Sequence, residues 1–179
     1  MSVREIRRYP DAVLRRKARR VPSIDRGIQE LIDDMLETLH KAYGAGLAAP
    51  QVGVSLRIVV IQMPEKEPLV LVNPEVVKRS GEREIEEGCL SIPGYRGTVK
   101  RSTAVTIKAR DRQGKEIRIK GEEILCQALE HELDHLNGVL YIDRLVDRRT
   151  LHKIEPGEEE KEKLPAEPAV VAKPESVAI

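Results

Sequence analysis

The stretch LEHELDHLNG, Leu129 to Gly138, does more than any other to restrict what this chain can fold into. On a helix, positions four apart lie on one face, so His131 and His135 can direct nitrogens to one point, with Glu132 beside the first. This is the HExxH arrangement of metal-dependent hydrolases, and it requires a helix here. The run EEILCQALEHELDHLNG supplies one, opened by Gly121 and two glutamates whose charge suits the N-terminal end of the helix dipole. The competing reading is a surface helix that carries these three residues by chance.

Two imidazoles need a third protein ligand for a stable site. The metzincin pattern would place a third histidine where Tyr141 stands. The gluzincin pattern takes a glutamate from a later helix, but the late glutamates begin at Glu155, in a segment with little apolar periodicity. The third ligand must therefore lie upstream, and the fold must carry the helix to it. Cys89, in the glycine- and proline-bracketed stretch EEGCLSIPGYRG, is the candidate: a thiolate in such a turn suits a borderline or soft metal. Cys89, His131 and His135 together leave a fourth position for water. A nucleophilic Cys89 paired with a histidine is the rival, but it competes for the two histidines that HExxH uses. Cys126, five residues before His131, points away from the metal face and is expected in the core.

The remaining chain frames that site. One ordinary domain fits 179 residues, and a net charge of +1 gives no general attraction to nucleic acid or an acidic membrane. No apolar run approaches the roughly 20 residues needed to span a bilayer, and the arginine-rich start MSVREIRRYPDAVLRRKARR lacks the apolar core of a secretory signal. The expectation is a soluble cytoplasmic protein whose two cysteines are thiols. Trp and Phe are absent, so the core must be aliphatic and base stacking is poorly supplied. A first amphipathic helix is predicted from Ile28, Leu31, Ile32, Met35, Leu36 and Leu39, capped by Ser23 or Asp25 and stopped by Gly44. The short β-type runs LRIVVIQM and LVLVNPEVV follow, then a hairpin over TAVTIKARDRQGKEIRIKG. Strands between an early and a late helix give an α+β fold. Residues 1–154 read as the catalytic domain and 155–179 as a charged, proline-containing flexible tail. GAGLAAPQVG, Gly44 to Gly53, is a small-residue turn that lets another backbone lie close, and Gln51 in it is a neutral amide able to donate to developing negative charge.

The three stretches GAGLAAPQ, EGCLSIPG and EHELDHLNG, in this order and spacing, resemble the peptide deformylase family, whose motifs run GxGxAAxQ, EGCLS and HExxHLxG. The resemblance spans nearly all of the chain from Met1 to about Leu151. It implies small antiparallel sheets around a central HExxH helix and removal of the formyl group from the N-terminal methionine of newly made polypeptides, with release of formate. It further implies Cys89, His131 and His135 as metal ligands, Glu132 as the catalytic carboxylate, and Gln51 with the Leu90 N–H as oxyanion donors. Gly46 and Gly88 would pair with the substrate backbone, and Arg96 would contact the substrate. The implied cofactor is one divalent ion, Fe²⁺ first, with Zn²⁺, Ni²⁺ or Co²⁺ as substitutes. Formyl-methionyl nascent peptides are the implied partners. The basic start reads first as a solvated face and second as a transient ribosome contact, with no membrane and no specific nucleic acid. Glu130 departs from the family's usual glutamine, and an extra carboxylate there would change either the hydrogen bonding around the metal ligands or the surface charge beside the site. Ala45 and Gln127 stand where bulkier or more apolar residues would line a methionine pocket. The rival readings are a general metallopeptidase and a metal-binding homologue without deformylase activity, the latter with His40 or His152 closing a four-ligand structural site.

Overall fold

The computed structural model describes residues 1–155, so the expected tail lies, past Glu155, outside the described residues. The first helix, α1 (Arg26–Ala42), begins as the sequence implies, with the Asp25 carboxylate accepting the Ile28 N–H at 3.0 Å. Its end differs. Tyr43, not Gly44, takes the left-handed position at φ 54°, and the N–H groups of Tyr43 and Gly44 reach back to the carbonyls of His40 and Leu39. Gly44 is needed for room: a β-carbon there would come within 2.9 Å of the side chains of Leu90 and Leu39.

Seven strands follow in two groups before the second helix. β1 (Gly46–Ala48), β2 (Ile58–Ile61), β3 (Leu69–Ser80), β6 (Ala104–Arg110) and β7 (Glu116–Glu122) form one antiparallel sheet in the order β1-β2-β3-β6-β7. The expected hairpin is β6–β7. Its turn is held by Asp111, whose carboxylate accepts the N–H groups of Gln113 and Lys115, with Gly114 at φ 83°. β4 (Arg83–Cys89) and β5 (Ile92–Arg101), joined later by β8 (His152–Lys153), make a second antiparallel sheet, β4-β5-β8. The cysteine stretch, expected as a turn between strands, is therefore the tip of a second hairpin, with Glu86 opposite Thr98 and Cys89 opposite Ile92. Its glycines and proline signalled breaks, and Pro93 is tolerated because it is only the second residue of its strand.

The second helix, α2 (Glu123–Leu136), and α1 sandwich the five-stranded sheet. β2 shows why: Ile58 and Val60 join Leu31, Ile32, Met35 and Leu39 of α1, whereas Val59 and Ile61 join Leu129, Leu133 and Leu136 of α2. A strand covered on both faces reads as a continuous apolar run, as IVVI does. Cys126 lies in the α2 cluster, its thiol donating to the Ser102 carbonyl at 3.2 Å, as its helical phase implied. Both cysteines are free thiols. Among the described residues no helix is long and apolar enough to cross a membrane.

Glu130 corrects an expectation. Its buried carboxylate faces the sheet, not the metal ligands: it accepts the Ser102 N–H and hydroxyl, each at 2.8 Å, and Arg79 Nε at 2.9 Å. It therefore ties α2 to the β5–β6 connection and to β3. A glutamine has one oxygen for three donors on two sides, so its NH₂ group would have to face a donor. Glu130→Gln is expected to lower stability by about 1–3 kcal/mol, read as a lower urea midpoint at unchanged slope. An unchanged or higher midpoint would show that the amide serves as well.

Candidate active site

α2 presents His131 and His135 from successive turns, and the tip of β4 brings Cys89 against them. Their ligand atoms all lie within 4.8 Å of one another; Cys89 Sγ and His131 Nε2 are each 3.3 Å from His135 Nε2. Donors at 2.0–2.3 Å around a tetrahedral ion stand roughly 3.3–3.7 Å apart, so the two 3.3 Å separations suit one metal ion, with the third pair no farther apart than 4.8 Å. His40 and His152 do not join the group. His40 is exposed near the end of α1, and His152 faces Glu86 at 3.4 Å. No fourth protein ligand closes the site among the described residues.

Behind the ligands stands a chain of buried charge that the sequence reading did not single out. His131 Nδ1 is 2.8 Å from Glu87 Oε2. Arg101 grips Glu87 through Nε at 2.7 Å and Nη2 at 2.9 Å, and its Nη1 donates to Asp134 at 2.7 Å. Asp134 also accepts from Arg144 through Nε and Nη2, at 2.5 and 2.7 Å. Burial raises the Glu87 pKa, but the hydrogen bonds from Arg101 and His131 outweigh it and bring the carboxylate to about 2. Glu87 is thus an ionised acceptor that fixes the ring of His131, as a carboxylate commonly does for a metal-bound imidazole. Burial likewise opposes charge on His131, yet its hydrogen bonds to Cys89 and Glu87 hold its pKa well above the ordinary value. His135, buried and beside His131, is pushed well below it and offers a neutral nitrogen. A metal taking these positions displaces protons.

Glu132 lies on the open side of the ligands. It is 4% exposed, its Oε2 is buried without a hydrogen-bond partner, and burial raises its pKa to about 7. Gly46 makes its position feasible: a β-carbon at 46 would stand 2.5 Å from Glu132 Oε1. Gln51 is 1% exposed, and its orientation follows from chemistry. Its Oε1 accepts the Ala48 N–H at 2.8 Å, so its Nε2 must face Ser91 Oγ at 3.2 Å and Cys89 Sγ at 3.7 Å. Gly46, Gln51, Gly88, Leu90, Arg96 and Glu132 all border one cavity of about 630 Å³ that also reaches Cys89 and His131. Ala45 and Gln127 line it as well, and Gln127 Nε2 donates to the Glu86 carbonyl at 3.1 Å. The structure therefore brings together every site residue that the sequence suggested. It adds Glu87, two residues before the cysteine, Asp134, inside the HExxH stretch, and Arg101, which carries no local sequence signal.

A fold with two helices around small antiparallel sheets, and a Cys/His/His donor set beside a buried carboxylate, define the class as metal-dependent hydrolase. The family model for polypeptide deformylase matches residues 3–150. A curated peptide deformylase of Dehalococcoides mccartyi (strain CBDB1) is 57% identical over 165 residues, 92% of this chain and 99% of the relative, and one of Halothermothrix orenii is 50% identical over 82% and 96%. The crystal structure of a peptide deformylase from Legionella pneumophila superposes with a TM-score of 0.80 at 49% identity, covering 83% of this chain and 90% of that one. That of Ehrlichia chaffeensis in complex with actinonin gives 0.81 at 38% identity over 84% and 92%. The chain belongs to the peptide deformylase family.

Replacing Glu87 by glutamine removes the ionised acceptor behind His131 while keeping its volume. Glu87→Gln is expected to weaken Zn²⁺ binding by about 10- to 100-fold in chelator competition. Equal affinity would mean that Glu87 serves only the ion cluster.

Proposed function

We propose that this chain hydrolyses the N-formyl amide of formyl-methionyl nascent peptides, releasing formate and a free N-terminus, with the roles that follow. The observation that carries these roles is the buried carboxylate of Glu132, held with one oxygen unpartnered between Gly46 and the Cys89, His131 and His135 donors. A divalent ion held by those three residues supplies Lewis acidity, which acidifies water and polarises a carbonyl. Glu132, with a pKa near neutrality, accepts the proton of the attacking water and returns it to the departing amine nitrogen as the C–N bond breaks. Gln51 Nε2 and the Leu90 N–H donate to the oxygen that gains charge, each such donor being worth about 3 kcal/mol of barrier.

The sheet order supports one placement for the substrate. β1 and β4 are edge strands of separate sheets, and both border the cavity through Gly46 and Gly88. An extended peptide can pair with such edges as an added strand. Arg96 stands on the cavity wall to meet the substrate, and Ala45 and Gln127 face its first side chain. Fe²⁺ is the working ion in this reading, with Zn²⁺, Ni²⁺ or Co²⁺ accepted by the same donors. Residues 1–154 form the catalytic unit, acting in the cytoplasm where nascent chains are made. The arginines of the first twenty residues offer a transient ribosome contact without sequence-specific nucleic-acid binding.

The test is formate release from a formyl-Met peptide by anaerobically purified, Fe²⁺-loaded protein beside Glu132→Ala. The variant is expected to retain metal and lose at least about 10²-fold in turnover. Near-parental turnover would remove Glu132 from the mechanism, and a metal-loaded parent that releases no formate would overturn the assignment.

A further inference from the structure

Ser91 has no role in the chemistry described so far, yet its side chain is buried, 1% exposed, in the β4–β5 turn two residues past Cys89. Three of its atoms join three parts of the chain. Its N–H donates to Cys89 Sγ at 3.4 Å, its hydroxyl oxygen accepts from Gln51 Nε2 at 3.2 Å, and its carbonyl accepts the Tyr9 N–H at 2.9 Å. The N-terminal segment ties the other partner as well, since the Arg7 N–H donates to the Gln51 carbonyl at 2.7 Å. The backbones of residues 51 and 91 are thus fastened to one extended strap, independently of their side chains.

We infer that Ser91 is the positioning residue for the Gln51 amide, an inference that rests on the oxyanion role proposed for Gln51. An amide nitrogen has two hydrogens. Oε1 is engaged by the Ala48 N–H, which fixes which end of the amide is nitrogen. Ser91 Oγ then takes one N–H, and the second is left on the side of Cys89 and the metal donors. With the hydroxyl removed, the amide keeps the short bond at its oxygen and, at its nitrogen, only the 3.7 Å contact with Cys89 Sγ, so its terminal torsion, which is intrinsically broad, is less restrained. A donor that wanders is not preorganised, and preorganisation is what makes such a donor effective. The effect belongs in kcat, because the interaction is made with charge that develops only in the transition state.

The experiment is a double-mutant cycle of Ser91→Ala and Gln51→Ala on Fe²⁺-loaded protein, with metal content and urea midpoint recorded for each variant. Ser91→Ala is expected to lower kcat roughly tenfold with KM within about twofold of the parent, a part of the ~10²–10³ that losing a whole donor costs. In the Gln51→Ala background the same substitution is expected to cost less than about twofold. An equal loss in both backgrounds, a loss confined to KM, or no loss at all would overturn the inference. A second readout does not depend on turnover. The Gln51 side-chain NH₂ pair, identified in the ¹⁵N spectrum of Zn²⁺-loaded protein by its absence in Gln51→Ala, is expected to move and exchange faster in Ser91→Ala. Should the parent release no formate, the proposed function fails, and this spectrum alone decides whether the hydroxyl holds the amide; an unmoved pair would refute that.

Discussion

The guanidinium of Arg101, with 3% of its side chain exposed, is the point on which the site depends. It comes from the end of β5 and spans the gap between Glu87 on β4 and Asp134 on α2. Burying such ions is costly, and it is tolerated only when each lone pair and proton finds a partner. Here each Arg101 nitrogen has an acceptor: Glu87 takes Nε and Nη2 and also serves His131, and Asp134 takes Nη1 and also serves Arg144. Removing one member would leave an uncompensated charge at a cost of about 3–5 kcal/mol, so the cluster is held together as a unit. Its structural consequence is that the second sheet and α2 cannot slide past each other. Cys89 and the two histidines, which come from those two elements, are thereby held at ligand distance.

The helix sandwich supplies the complementary constraint. α2 can present His131 and His135 to a cavity because its opposite face is occupied by Leu129, Leu133 and Leu136 against the sheet. β1, at the edge of that sheet, then passes Glu132 so closely that only glycine fits at 46. The small residues of GAGLAAPQ thus serve two purposes. Gly44 clears the side chains of Leu39 and Leu90, and Gly46 clears the Glu132 carboxylate, leaving a backbone edge open to the cavity.

What could be read in the sequence was what is local. The phase of His131, Glu132 and His135 on a helix, the inward turn of Cys126 and the β6–β7 hairpin depend on neighbours within one element, and the structure agrees with them. The elimination that points to Cys89 does not reveal its strand, because REIEEGC has one large apolar residue before the cysteine and a glycine next to last. Arg101 was illegible for a different reason. The hairpin register sets it opposite Arg83, so its reach to Glu87 is diagonal and to Asp134 crosses between elements. Glu130 adjoins His131 in sequence, and adjacency alone suggests a carboxylate near the metal site or on the surface beside it. One residue along a helix is a 100° turn, and that turn carries it to Ser102 and Arg79.

The charges of the site also say what kind of ligand belongs there. Four acidic groups, Glu87, Cys89, Glu132 and Asp134, stand with two guanidiniums, Arg101 and Arg144, so acidic groups outnumber the fixed cations; the three carboxyl groups and Arg101 are buried, while Arg144 keeps 44% of its side chain in solvent. The protein's own groups express that excess as proton affinity: burial lifts Glu132 to about 7, and Cys89 with Glu87 holds a proton on His131 against its burial. A metal cation taking the donor positions would answer that excess and would release the proton of His131. The donor set and the charge around it, which share Cys89, therefore favour the same kind of occupant, a metal cation.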